Sequence, residues 1–117
     1  GHLMENIIYN ELRIRGYSVD VGQVKVRIIN DDGKKIRKLL EMDFICNSGN
    51  KRVYIQSVLD MPTQEKIDQE TNSLRHIKDG FPKIVIVGGL TPSHVNTDGI
   101  SIINIIDFLK DTEGNLL

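Results

Sequence analysis

Apolar residues recur at helical spacing near the start of the chain. In MENIIYNELRIRG, Met4, Ile7, Ile8, Glu11, Leu12 and Arg15 fall on a three-to-four residue repeat. This predicts an amphipathic helix with Ile7, Ile8 and Leu12 toward a core. Gly16 is placed to end it in a left-handed conformation. The next stretch, YSVDVGQVKVRII, alternates apolar and polar positions. Val19 and Val21 share one parity, and Val24, Val26 and Ile28 the other. A parity change at Gly22 predicts one bent strand over 17–29 with a bulge at the glycine.

Asp32-Gly33 within NDDGKK is a hairpin signal. The strand that follows, 37–46, is expected to put Leu40, Met42, Phe44 and Cys46 on one face and Glu41 and Asp43 on the other. NSGN predicts a second turn. The third strand, 52–59, alternates Val53, Ile55, Ser57 and Leu59 with Tyr54, Gln56 and Val58. It is largely apolar on both sides, which places it centrally in a sheet. Pro62 and Thr63 introduce a second helix, with Thr63 as N-cap. Its buried stripe is Ile67, Thr71, Leu74 and Ile77, and Gly80 and Pro82 end it. KIVIV, 83–87, reads as a strand buried on both faces. GGLTPSHVNTDG reads as a loop and ISII, 100–103, as a short edge strand. Asn104 is placed to cap a last helix through Leu109, and the tail DTEGNLL is expected to fray. The predicted order is α-β-β-β-α-β-β-α, a mixed sheet flanked by helices. No internal repeat or low-complexity tract interrupts it.

Composition adds limits to this picture. The chain has 117 residues, the size of one domain. Trp is absent and 39% of residues are hydrophobic, so the core is aliphatic. A net charge of -1 argues against a dedicated nucleic-acid binder. The dense basic run, GKKIRK at 33–38, reads first as a solvated hairpin tip. Cys46 is the single cysteine, which rules out an intrachain disulfide. Lying in an apolar strand, it reads as a small hydrophobe. No apolar run is long enough to span a membrane and no signal peptide is visible, so a cytoplasmic location is expected. GHLM at 1–4 reads as an expression-tag remnant, 5–111 as a single domain cut from a longer protein, and 112–117 as a tail.

Candidate chemistry centres on three polar residues that this order of elements can bring together: Glu5 on the first helix, Asp43 on the second strand and Gln56 on the third. In the PD-(D/E)XK nuclease fold the corresponding pattern is a helix Glu, a strand Asp and then Glu/Asp-x-Lys. Carboxylates there supply hard oxygens to Mg²⁺ or Mn²⁺, and the lysine helps to stabilise phosphate charge. In this chain Gln56 stands at the third acid and Val58 at the lysine.

ENIIYNELRIRGYSVDVG, EMDFIC, VYIQSV, SLRHIKDGFPKIVI and GISIINIIDFLKD together resemble the C-terminal domain of a bacterial and archaeal family of AAA-type ATPases. That domain is of unknown function, with a restriction-endonuclease-like fold. The resemblance runs from about Glu5 to Asp111. It implies an N-terminal P-loop ATPase module as the partner in the same chain, and ATP bound in that module. The Walker A pattern is absent from these residues; GGLTPSH lacks the lysine.

Two readings follow. In the first, the domain is a non-catalytic accessory module with no catalytic or metal site of its own. Asp43 then accepts structural hydrogen bonds at the first helix, and Glu5 complements a helix dipole. In the second, Glu5, Asp43 and Gln56 hold a divalent metal, and Lys66 on the following helix replaces the missing lysine. The domain would then cleave nucleic acid, or bind DNA of particular structure with help from the basic hairpin. A homo-oligomer paired through the last short strand is a third expectation. Tyr9, one turn from Glu5, reads as rim packing. His76 and His94 have no partner at metal spacing and read as solvent-facing and loop residues. No His with a supporting acid is recognisable near Ser57, so it is not read as a nucleophile. Glu65, Asp68 and Glu70 make a charged outer helix face, with Glu70 in range of Lys66.

Overall fold

The structure is a computed structural model that describes residues 2–117. Gly1 of the opening GHLM segment lies outside them. The elements are α1 (His2–Ile14), β1 (Ser18–Ile29), β2 (Lys35–Ser48), β3 (Lys51–Val58), α2 (Gln64–Arg75), β4 (Lys83–Val87), β5 (His94–Val95), β6 (Ser101–Asn104) and α3 (Ile105–Lys110). The six strands form one mixed sheet in the order β1-β2-β3-β4-β6-β5. The β1–β2–β3 meander is antiparallel, β3, β4 and β6 run parallel, and β5 returns antiparallel to β6.

Each face of the sheet carries an apolar layer. Ile8 and Leu12 of α1 and Phe108 of α3 pack with Phe44, Cys46, Val53, Ile55, Ile84 and Ile86. Ile67 and Leu74 of α2 pack on the other side with Leu40, Met42, Tyr54, Val58, Val85 and Val87. β3 and β4 contribute to both layers, as expected of strands buried on both faces. Helix starts follow their caps. Thr63 Oγ1 accepts the Lys66 N–H at 3.2 Å, and Asn104 Oδ1 accepts the Ile106 N–H at 2.9 Å. The first hairpin turns at Gly33, whose φ is 77°, and Asn30 Oδ1 accepts the N–H groups of Asp32 and Lys34.

Several expectations are corrected. Ile7 is 40% exposed, so the buried seam of α1 is Ile8 and Leu12 alone. The bulge lies in β2, not at Gly22 in β1. Asp20 faces Ile45 and Gly22 faces Met42, so two steps along β1 match three along β2. β1 keeps strict alternation: its even residues Val24, Val26 and Ile28 join the layer under α2, whereas of the odd ones Val19 joins the layer under α1 and Val21 is 79% exposed. In β2 the extra residue splits the expected single face: Leu40 and Met42 pack under α2, whereas Phe44 and Cys46 pack under α1. The helix α2 stops at Arg75 rather than near Gly80. The N–H groups of His76 and Ile77 bond three residues back, to the carbonyls of Ser73 and Leu74, which tightens and closes the last turn.

β2 begins at Lys35, so Lys35–Lys38 belong to a strand and not to the hairpin tip. The loop after β4 contributes β5, a strand missed in the sequence because it is two residues long. β6 therefore lies between β4 and β5 and is not an edge. That removes the predicted pairing of two copies through an exposed β6 edge. The tail does not fray: the Asp111 carboxylate accepts the N–H groups of Asn115 and Leu116, each at 2.8 Å, and also meets Arg15.

Candidate functional site

At the bulge the β2–β3 backbone pairing runs out after Phe44↔Ile55. Side chains take over the ladder. The Asp43 N–H donates to Gln56 Oε1 at 2.9 Å, and Gln56 Nε2 donates to the Glu41 carbonyl at 2.8 Å. In the other direction, Asp43 Oδ2 accepts the Ser57 N–H at 2.8 Å and the Ser57 hydroxyl at 2.9 Å, so its partners lie on β3 and not on the first helix as expected. The cause is local: an extra residue in β2 withdraws backbone partners from both strands, and buried amide groups must find others. Gln56 is 3% exposed, and both ends of its amide are engaged. Among the described residues no buried side-chain nitrogen or oxygen lacks a partner.

Val58, at the expected lysine position, is 6% exposed within the apolar layer under α2. An ammonium there would lie among Ile67, Val85 and Val87. Asp43 is half-buried and borders an open groove of about 530 Å³ lined also by Val21, Gly22, Gln23, Glu41 and Met42.

Glu70 belongs to this site although its sequence position suggests only a charged outer helix face. It is half-buried on α2. Burial first, and then the charge of Asp43, push its carboxyl above the ordinary range. Asp43 and Glu70 are therefore two carboxyl groups within electrostatic reach. The available signal was position: Glu70 lies three residues after buried Ile67 and just before buried Thr71, at the margin of the α2 stripe. Ser57 holds Asp43 through its N–H and hydroxyl.

The remaining sequence candidates lie elsewhere. Glu5 is half-exposed on α1, with His2 Nδ1 3.9 Å away, outside the network that joins Asp43, Gln56 and Ser57. Tyr9 packs at the core margin, as its rim-packing reading expects, and its hydroxyl accepts from Arg13 at 3.3 Å. Lys66 is exposed, and among the described residues no salt bridge joins it to Asp43 or Glu70. Glu65 and Asp68 are exposed on α2. His76 is exposed at the α2 terminus, and His94 lies in β5, where its Nδ1 is 2.9 Å from the Pro92 carbonyl.

A divalent cation of the Mg²⁺ class needs several hard oxygens around one point. Among the described residues no three His, Cys, Asp or Glu side chains group closely enough to hold a metal ion. Asp43 and Glu70 supply two carboxylates, but Asp43 Oδ2 already takes two hydrogen bonds. The donor set does not fit a resident metal.

Fold and site together define a compact α/β domain: a mixed six-stranded sheet between helices, with a side-chain-bridged bulge on its second strand. No family model matches the chain. It is 37% identical over 106 residues to an uncharacterized protein of Haemophilus influenzae, a match that takes in 91% of this chain and 22% of that protein. The chain thus spans about a fifth of the length of this relative. No helix among the described residues is long and apolar enough to cross a membrane.

Proposed function

We propose that this is a non-catalytic accessory domain of restriction-endonuclease type, belonging to a longer AAA-type ATPase and acting by interaction with other protein surfaces. The supporting observation is the use of Gln56. Its amide oxygen and nitrogen are both taken by the backbone of β2, at Asp43 and Glu41. A nuclease needs that position to present an anion to a metal, and needs a cation two residues on. Here the first position ties two strands together and the second, Val58, fills a core. Losing one charge-stabilising group can cost ~10²–10³ in rate. The length of the H. influenzae relative supports the view that the chain is one part of a larger protein. The ATPase module as partner rests on the resemblance in the sequence, and the proposed cytoplasmic location on the lack of a membrane-spanning apolar run and of a visible signal peptide.

The test is incubation of the protein with Mg²⁺ or Mn²⁺ and linear, supercoiled and single-stranded DNA, and with RNA. No cleavage above buffer is expected. Cleavage that vanishes in Asp43→Ala would overturn the reading. The second reading, a metal-dependent nuclease, needs a metal that these residues do not fit. Calorimetry showing Mg²⁺ or Mn²⁺ uptake that is lost in Asp43→Asn would revive it.

A further inference from the structure

The distal half of the β1–β2 hairpin presents an unusual face. Lys25 lies opposite Leu39, Arg27 opposite Arg37, and Ile29 opposite Lys35. Residues directly opposite share a face, so four cations and two large apolar side chains stand together. All six are exposed, with Ile29 at 68% and Leu39 at 51%. The reverse side carries Val24, Val26 and Leu40, which join the layer under α2. Like charges directly opposite are unfavourable, yet Arg27 faces Arg37. Among the described residues none of the four cations has a salt-bridge partner. A shallow groove of about 260 Å³ runs between Lys25, Arg27 and Arg37.

We propose that this face docks an acidic polypeptide segment that also carries apolar side chains; the proposal rests on the accessory-domain reading and names the chemistry of its partner. Carboxylates of such a segment relieve the Arg27–Arg37 repulsion, and its apolar side chains cover Ile29 and Leu39. A nucleic-acid backbone meets the first requirement but not the second, because phosphate contacts offer nothing to exposed aliphatic groups.

Fluorescence anisotropy with the whole chain tests this, using as probes a short peptide in which glutamate alternates with leucine and a short DNA duplex. The peptide is expected to bind, and the duplex to bind more weakly. Arg27→Glu with Arg37→Glu should weaken peptide binding by roughly tenfold or more, and Leu39→Ser should weaken it as well. A lysine-leucine peptide should bind the charge-reversed variant and not the parent, which also shows that the variant is folded. Peptide binding indifferent to these changes, binding of the duplex in preference, or binding of neither probe would overturn the proposal. Cleavage assays depend on Asp43 and are scored separately. Failure of docking without cleavage therefore rejects this face alone, and Asp43-dependent cleavage rejects the accessory-domain reading beneath it.

Discussion

Gln56 and Asp43 exchange roles across the β2–β3 gap: the Gln56 side chain accepts the Asp43 backbone N–H, while the Asp43 side chain accepts the backbone N–H of Ser57, next to Gln56. Each side chain replaces a rung that the bulge removes. The polar residues at this position are therefore structural before they are anything else, and their substitution reads out in stability.

Gln56→Glu is expected to destabilise the fold by about 1–3 kcal/mol at neutral pH, the cost of a buried group left without its partner. A carboxylate oxygen would then face the Glu41 carbonyl, to which the amide now donates. Protonation restores a donor. The introduced carboxyl is expected to have a folded-state pKa above its unfolded one. Its stability deficit should therefore shrink as pH falls through the carboxylate range. Urea denaturation at several pH values checks both the size and the sign.

Glu70→Gln should stabilise the protein at neutral pH. The Glu70 carboxyl is held above its ordinary range by burial and then by Asp43, so the folded state binds that proton more tightly than the unfolded state does. The stability associated with this group is full at pH below the unfolded value and is lost as pH rises through the folded value. The difference between Glu70→Gln and the parent should therefore grow from acid to neutral pH. Asp43→Asn should move the Glu70 titration downward, toward the ordinary range, in carboxyl-resolved NMR.

Val58→Lys is expected to cost about 3 kcal/mol, because it places an unpaired ammonium in an apolar layer. Thermal denaturation measures it. Combining it with Gln56→Glu should give a less stable protein with no Mg²⁺-dependent cleavage, since Val58 points among Ile67, Val85 and Val87 in the core.

Cys46 is fully buried, and burial followed by the Asp20 charge pushes its thiol up to about 12. The native thiol should resist aromatic disulfide reagents at neutral pH, because the thiolate is the reactive species. Its labelling rate should follow the unfolding equilibrium across a denaturant series. Rapid labelling in buffer alone would contradict this burial.

Much of the architecture is legible in the chain because its signals are local. The period of α1, the run of KIVIV, the Asp32-Gly33 turn and the caps at Thr63 and Asn104 each lie within a few consecutive residues, and all appear where expected. β5 escapes because two residues carry no period. The order of the tail is not legible in the chain because it depends on Asp111 turning back to Asn115 and Leu116 while Arg15 approaches from the end of α1.

By itself the sequence determined which residues have helical or strand periodicity, and that position 56 carries an amide and position 58 an aliphatic side chain. Only the tertiary structure decided that the bulge falls in β2, that Gln56 and Asp43 replace each other's missing rungs, and that Glu70 comes within electrostatic reach of Asp43 while Glu5 stays outside their hydrogen-bond network. The physical reason is that periodicity belongs to one segment. A register is a relation between two segments, and its offset is set by the packing of both faces at once.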